Sequence, residues 1–413
     1  MSNNDIAVLR DLARQYMDIA AKPIQAQRRR QWADHNSLRP VAPLVLATFG
    51  MWNVWCREVF ADDKMLCRDP FFRDWERTLR MQIFHDSYGD DFIMEPWITL
   101  GASQERGWGN LWGLGLGHIG SGVEGGAWKF DPQLKELDPR KLSAPMHKID
   151  ENATAAAQQK LTDAIGDILP VHVDRGPAAR GFLSDISTML IQLRGLEQVM
   201  IDMYESPREL HEVLAFMRDG ILANQAAAEK AGDLDGAAGQ NQCMTYCHEL
   251  PAPNPATRGV NRKSLWGYCA AQEFTLISPA MHDEFLLQYQ KPIIETWGLS
   301  AYGCCEDLTR KIDMLRQIKN LRIIAVTPRA DVKRCAEQIG TDYVMSWRPN
   351  PADMVCCGWN EGTIRRILRE GLAACRGGHV HIHLKDVETL EGDTTRLARW
   401  VQIVRDEVEK AWD

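Results

Sequence analysis

The chain has 413 residues, 45% of them hydrophobic, and a formal net charge of −8. This composition is ample for a large core, and the lack of a basic face argues against nucleic acid as a partner. No apolar run reaches the roughly 18 residues that a membrane span needs, and the polar start does not resemble a signal peptide. We therefore expect a cytoplasmic protein whose 11 cysteines are reduced thiols.

The first 150 residues contain few clear elements. Apolar residues at helical spacing over 5–37 predict an N-terminal helical extension, 1–40. The apolar run VAPLVLATFG at 41–50 is typical of a buried strand, and the Gly- and Trp-rich stretch 101–130 is typical of a long ordered insertion. Inside it, GLGHIG at 115–120 matches the dinucleotide-binding pattern by letter only, because no apolar strand precedes it. We interpret it as a loop.

The second half of the chain alternates regularly between strands and helices. Two helices meet at Glu205-Ser206-Pro207, and QNQCMTYCHELP at 240–251 predicts a strand. Four further strands, each followed by a helix, are predicted at 299–307, 321–328, 341–349 and 379–386. This alternation predicts an α/β fold with a parallel sheet. We expect a (β/α)₈ TIM-type barrel over 41–413, although a doubly wound open sheet would give the same pattern.

The strand HVHIHLKD is the most unusual stretch of the sequence. Strand side chains alternate between faces, so three histidines and a lysine share one face, namely His379, His381, His383 and Lys385. Such groups need partners in a core, and hydrogen-bonded packing is the alternative role for them. Barrel active sites lie at the carboxyl ends of the strands, which favours catalytic roles for His383 and Lys385.

Three other predicted strand ends also carry polar groups. Cys305 and Glu306 could bind zinc together with His383, although free cysteines are also ordinary buried residues. His248 is a candidate acid–base group, with loop anchoring as the alternative, and Arg348 suits a carboxylate or phosphate. The neighbouring aromatic residues are candidates for substrate contacts: Tyr246, Tyr302 and Trp347. Four polar strand ends, near 248, 305, 348 and 383, predict one site and therefore an enzyme.

Several segments resemble the uroporphyrinogen-decarboxylase-like superfamily, which includes the cobalamin-dependent methyltransferases. They are GLEQVMIDMYESPRELHEVL, FTLISPAMHDEFLLQYQKPIIETWG, YGCCEDLTRKIDML and LEGDTTRLARWVQIV. The resemblance covers about residues 160–410 well, and it covers the first 150 residues poorly. It implies a (β/α)₈ barrel with its site at the carboxyl ends of the strands.

The resemblance also bears on the branch of the superfamily. The Arg-Gln-Ala-Gly-Arg stretch of true uroporphyrinogen decarboxylases is missing, which argues against porphyrinogen decarboxylation. The His-x-Cys-Gly motif of the zinc methyltransferases is only partly kept, with Cys305 on its Cys, Gly303 on its His and Glu306 on its Gly. The last-strand Cys is absent, and His383 or Lys385 lies close to its place. The resemblance thus suggests zinc on a substitute set of Cys305, Glu306 and His383.

These observations lead to one expected function and two alternatives. We expect a methyltransferase that moves a methyl group from a small methylated substrate to a corrinoid. The chain lacks the corrinoid-binding pattern Asp-x-His-x-x-Gly, so the corrinoid would reside on a partner protein. The expected catalytic residues are His383, Glu306, Lys385 and His248, and a homodimer is allowed. The alternatives are a metal-free decarboxylase or lyase acting on a small carboxylate, and an inactive ligand-binding barrel.

Overall fold

The computed structural model describes residues 3–48, 58–123, 127–237, 239 and 243–412. Its α-helices are α1 Asn3–Ala20, α2 Pro23–Asn36, α3 Pro70–Asp86, α4 Glu151–Ile165, α5 Ser187–Arg194, α6 Leu196–Glu205, α7 Pro207–Ala231, α8 Pro279–His282, α9 Gln288–Ile294, α10 Ile312–Leu315, α11 Val332–Ile339, α12 Glu361–Ala374 and α13 Arg396–Trp412. A π-helical turn, Asp283–Leu287, joins α8 to α9, and a second one spans Ala352–Cys356.

The strands are β1 Leu44–Ala47, β2 Ile98–Gly101, β3 Gly117–Gly120, β4 Trp128–Asp131, β5 Val171–Asp174, β6 Asp235–Gly236, β7 Asn254–Arg258, β8 Trp266–Cys269, β9 Leu299–Tyr302, β10 Leu321–Val326, β11 Val344–Trp347 and β12 His379–Leu384. Six of them form one parallel sheet in the order β1-β12-β11-β10-β9-β8. Strands β2 and β5 form a second parallel pair, and β3-β4 and β6-β7 are antiparallel pairs. The predicted α/β class is therefore confirmed.

The predicted closed barrel is not what the hydrogen bonds of this sheet show. Eight strands take part in parallel pairing, which is the number that a (β/α)₈ barrel uses. They divide into groups of six and two, and within the described residues no ladder joins β1 to β2 or β5 to β8. Strands β1 and β8 are therefore the open edges of a six-stranded sheet.

The two faces of this sheet bury different side chains. One face packs against the helices with Val45, Tyr302, Ile324, Trp347 and Ile382. The other face contributes Leu46, Tyr268, Ala301, Ile323 and Val344 to a separate apolar cluster. Since strand side chains alternate, the histidines of β12 lie on this second face, which we call the inner face.

Helix α2 packs on the inner face of the sheet. Trp32 is fully buried and its indole Nε1 donates to the carbonyl oxygen of Asp91 over 2.8 Å. His35 Nε2 lies 3.0 Å from His381 Nδ1, and both rings are buried. Arg322, near the start of β10, donates to the carbonyl oxygen of Asn36. The predicted N-terminal helical segment thus contributes to the core of the sheet.

Local sequence signals explain where several helices begin. Pro23 and Pro207 occupy the first turns of α2 and α7, where the missing N–H costs nothing. Asp331 and Asn360 accept hydrogen bonds from backbone amides three residues ahead and so cap α11 and α12. The βα units that close the chain therefore begin where the sequence places a capping side chain.

Other predictions differ from the structure. The predicted strand 240–251 is irregular over residues 243–250, and residues 240–242 lie outside the described residues. The insertion 101–130 contains the exposed hairpin β3-β4, and GLGHIG supplies β3, with no helix after it. Strands β2, β5 and β8 were not predicted, because they lie before the regular helix-strand alternation that begins at residue 299. No helix in the described part of the chain is long and apolar enough to cross a bilayer.

Candidate active site

The imidazoles of β12 are arranged in two levels along the inner face. His381 pairs in register with Leu44 and contacts His35, so it belongs to the packing with α2. His383 lies two residues further on and is 1% exposed. Its Nε2 lies 2.7 Å from Oγ1 of Thr48, the residue that follows β1. His383 therefore joins the carboxyl ends of two neighbouring strands.

Arg348 follows β11 and carries a buried charge. Its side chain is 2% exposed, and its Nη1 donates to the carbonyl oxygen of Cys304. Within the described residues, its Nε and Nη2 have no hydrogen-bond partner. A buried guanidinium with spare donors is costly, because the lost hydration is not replaced. Such an arrangement suits a ligand that brings its own acceptors.

Lys385 adds a second cation next to this guanidinium. It follows His383 by two residues on the inner side of β12 and is partly buried. Burial lowers the pKa of its ammonium group, and the charge of Arg348 lowers it further. Cys304 and Asp386 act in the opposite direction and favour the charged form. Two cations at adjacent strand ends make this region attractive to an anion.

Two consecutive thiols stand beside the cations. The Sγ atoms of Cys304 and Cys305 are 3.5 Å apart, with Cys304 buried and Cys305 exposed. The hydrogen bond from Cys305 lowers the pKa of Cys304 to about 6, helped by Lys385 and Arg348 and opposed by burial. The pKa of Cys305 is raised, first by the same hydrogen bond. The pair therefore tends to hold one proton on Cys305 and a thiolate on Cys304.

The Glu306 side chain anchors backbone in this site. It is fully buried, and its carboxylate accepts the amides of Ala271 and Cys304, each over 2.7 Å. These bonds tie together the loops that follow β8 and β9. Both oxygens are engaged by backbone, so Glu306 is poorly suited to catalysis or metal binding as it stands.

The predicted zinc set does not fit this geometry. Glu306 is committed to two amides, His383 to Thr48, and the Sγ of Cys305 lies 3.9 Å from a carboxylate oxygen of Asp386. Across the residues that the structure describes, no three His, Cys, Asp or Glu side chains are grouped as metal ligands. We therefore derive no step through a metal at Cys305, Glu306 and His383.

Three other predicted residues lie elsewhere. The buried hydroxyl of Tyr302 faces the helices, where it donates to Gln290 over 2.6 Å and lies 2.9 Å from His282 Nε2. Tyr246 donates to Glu95, 2.7 Å away. His248 is a half-exposed group whose Nε2 lies 2.7 Å from Asp34 in α2. The loop-anchoring alternative for His248 therefore describes its position better than acid–base catalysis.

Trp347 packs against a helix and also lines a cleft. Its ring packs so closely on α12 that a Cβ built on Gly371 would lie 2.0 Å from it. Together with Arg348, it also lines a cleft of 650 Å³ at the ends of β10 and β11. Trp347 and Arg348 are thus the two predicted substrate contacts that the structure brings together.

Sequence reasoning missed three residues of this site. Thr48 holds His383, Cys304 carries the acidic thiol, and Tyr268 of β8 lies on the inner face with its hydroxyl 3.5 Å from the Gly303 carbonyl. The signal for Thr48 was available, because it lies at the end of the predicted strand 41–50. Cys304 was adjacent to the chosen Cys305, and Gly303 turns the chain there with φ +101°.

The chain shares its fold with a solved methyltransferase. A methyltransferase from Methanosarcina mazei superposes with a TM-score of 0.53, over 94% of this chain and 99% of that chain, at 11% sequence identity. An identity this low shows a likeness of fold alone. No known family model matches the chain, and no curated protein matches it.

Proposed function

We propose that the chain is a methyltransferase that moves a methyl group from a small anionic substrate to a corrinoid carried by a partner protein. The observation that carries this proposal is the buried guanidinium of Arg348, whose Nε and Nη2 have no partner among the described residues. A carboxylate of the substrate would accept a hydrogen bond from each of these two nitrogens, in the bidentate geometry that arginine favours.

A structural neighbour gives the proposal of methyl transfer a second support. One solved structure with the same fold is a methyltransferase, and this chain covers 99% of its length. Eight parallel strands are present, and closure of β1 on β2 and of β5 on β8 would make the expected (β/α)₈ barrel. In such a barrel the residues Arg348, Lys385 and His383 would stand at the active-site end.

The residues present suggest how the leaving group is stabilised. When the methyl group leaves, the electron pair of its bond stays on the substrate heteroatom, which must then gain a proton or a nearby positive charge. The lowered pKa of Lys385 makes its ammonium group a better proton donor than a solvated lysine. Lys385 therefore protonates the heteroatom, and Arg348 holds the carboxylate. Thr48 keeps the His383 ring in place.

The corrinoid acts as the second substrate in this proposal. We place the corrinoid on a separate protein, because the pattern Asp-x-His-x-x-Gly does not occur in this sequence, and free cob(I)alamin replaces that protein in the assay. In the assay, purified protein is mixed with free cob(I)alamin and a panel of methylated aromatic and aliphatic carboxylates. Formation of methylcobalamin, seen in the visible spectrum and lost in Arg348→Met, would support the proposal. Silence across the panel would contradict it.

A decarboxylase or lyase is the second candidate, and the same two cations favour it. Arg348 could hold one carboxylate while Lys385 protonates the carbon from which carbon dioxide leaves. This reaction needs no partner protein and no corrinoid. Release of carbon dioxide from the same panel without any methyl acceptor would favour it over methyl transfer.

A further inference from the structure

An aromatic cavity lies along the open edge of β8 and shares one residue, Tyr268, with the candidate active site. It has a volume of 480 Å³, and four aromatic side chains form its walls: Phe182, Trp266, Tyr268 and Trp297. Ligand pockets for small organic molecules usually span about 300–1,000 Å³ and are lined mainly by apolar and aromatic groups. The size and lining of this cavity therefore match a site for a molecule with one or two rings.

The walls of the aromatic cavity are held in place before any ligand binds. Trp266 Nε1 donates to the carbonyl oxygen of Thr245 over 3.0 Å. Trp297 packs on Gly267 so closely that a Cβ there would lie 2.8 Å from its side chain. Phe182 and Tyr268 make an edge-to-face contact with ring centroids 5.3 Å apart. Rigid walls reduce the entropy lost on binding.

The charges of the cavity cancel each other. Its lining includes one carboxylate and one guanidinium, Asp174 and Arg180, which are hydrogen-bonded to each other through both pairs of atoms. Asp174 also accepts the amide of Gly176 over 2.9 Å. A site for a quaternary ammonium would need aromatic ring faces with no other cation beside them, or a carboxylate that is not already paired. Arg180 already supplies that cation, so an uncharged ring is favoured.

Tyr268 connects the aromatic cavity to the anion site. Its ring lines the cavity, and its hydroxyl reaches the carbonyl oxygen of Gly303. Arg348 donates to the carbonyl oxygen of the next residue, Cys304. The two side chains thus contact consecutive residues of one short segment, which links the cavity to the anion site.

We propose that the aromatic cavity binds the uncharged planar ring of the substrate. That the ring belongs to the methylated substrate rests on the proposed function, whereas the binding of an uncharged ring in the cavity does not. This placement assigns the substrate to the aromatic acids, with the ring against Phe182 and Tyr268 and the carboxylate toward Arg348.

The test compares two uncharged amides that differ in planarity. Benzamide and cyclohexanecarboxamide are titrated into the full chain and followed by ligand-observed NMR, with tetramethylammonium as a cationic probe. Benzamide is expected to bind about fivefold more tightly than its saturated analogue, since ring pairs add to simple burial. Equal binding of the two amides, or preference for tetramethylammonium, would overturn the proposal.

Variants place the binding event in the cavity. Phe182→Leu should weaken benzamide about fivefold, whereas Phe182→Tyr keeps the ring and should bind as the wild type does. Trp108→Ala removes an exposed tryptophan away from the cavity and serves as the control. Benzamide affinity unchanged in Phe182→Leu would contradict the site. Benzamide carries no methyl group, so failure of methyl transfer with intact ring binding would count against the proposed function alone.

Discussion

Arg348 donates its Nη1 to the carbonyl oxygen of Cys304, and this bond spans the ends of two strands, β11 and β9. The bond orients the guanidinium, while its Nε and Nη2 have no acceptor within the described part of the chain. The same segment carries the thiol whose pKa is lowered to about 6. One interaction therefore links the spare donors, the acidic thiol and the loop that Glu306 anchors.

Replacing Arg348 by methionine should separate function from stability. Two charge-assisted hydrogen bonds to a carboxylate are expected to contribute about 1.5–3 kcal/mol each, so benzoate affinity should fall by at least roughly 100-fold. The free energy of unfolding should not fall, because the variant removes a buried charge with unsatisfied donors. Calorimetric titration and urea unfolding measure the two quantities.

The exposed Arg366 provides the matched control for this change. It pairs with Glu370 on the surface of α12, and such pairs contribute little. Arg366→Met should leave benzoate affinity unchanged. A large loss of stability with unaltered benzoate binding in Arg348→Met would show that the guanidinium has a purely structural role.

The proton-donor role of Lys385 predicts an alkaline limit to turnover. Because burial and Arg348 lower the pKa of its ammonium, methyl transfer should decline as the pH rises through a value below 10.5. Lys385→Met should lower the rate by about 100-fold or more and abolish this alkaline limb. Lys319→Met, at an exposed position, is the control. An alkaline limb that persists unchanged in Lys385→Met would exclude this role.

The two thiols should titrate as a coupled pair. The ultraviolet thiolate absorbance of the wild type, minus that of Cys304→Ser, is expected to rise near pH 6. In Cys305→Ala this step should move to higher pH, because the hydrogen bond from Cys305 is the main cause of the low pKa of Cys304. The exposed Cys357 gives the control Cys357→Ala. A step that stays in place in Cys305→Ala would assign the shift to Lys385 and Arg348.

The sequence predicted the C-terminal half of this site better than the rest. The alternation of HVHIHLKD correctly put His381 and His383 on one buried face, and a regular βα pattern located Arg348 and Lys385 at strand ends. These predictions worked because period-two alternation depends only on local geometry. The helix-strand spacing then fixed which ends lie side by side.

The remaining residues depend on contacts that no local pattern encodes. Tyr246 and His248 were assigned to a strand, yet their segment is irregular and α2 binds it through Asp34 and Arg29. Glu306 has two backbone amides as partners, one of them 35 residues earlier in the chain. Tyr302 lies on the helix side of β9, where its hydroxyl donates to Gln290 and lies 2.9 Å from His282 Nε2. Such long-range partners decide orientation after the strands have paired.

The buried pair of His35 and His381 predicts a loss of stability in acid. Burial lowers the pKa of His35 well below 6.5, and the neighbouring His381 adds to the effect. Below about pH 6.5 the unfolded chain then binds a proton that the folded chain does not, so stability falls as the pH falls, by at most about 1.4 kcal/mol per pH unit. His35→Gln should show a shallower dependence in urea unfolding between about pH 5 and 7.5. An identical slope in the variant would contradict this.

Two glycines of α12 should respond in opposite ways to alanine. A Cβ at Gly371 would lie 2.0 Å from the ring of Trp347, which is itself 2% exposed and packed in the core. The ring or the helix must move, and overpacking of this kind costs about 1–3 kcal/mol. A Cβ at Gly362 would approach its nearest neighbour, Asn360 Oδ1, to 3.4 Å, an ordinary contact. Gly362→Ala should therefore raise the free energy of unfolding by up to about 1 kcal/mol, since it reduces the freedom of the unfolded chain.

Urea unfolding of the two variants beside the wild type measures this difference. Because both substitutions lie in one helix and change the same atoms, helix propensity cancels between them and the difference reports the contact with Trp347. Trp347 precedes Arg348, so the shift should also reach the anion site and weaken benzoate binding in Gly371→Ala alone. Equal stability of the two variants would mean that Trp347 does not pack against α12 as the structure describes.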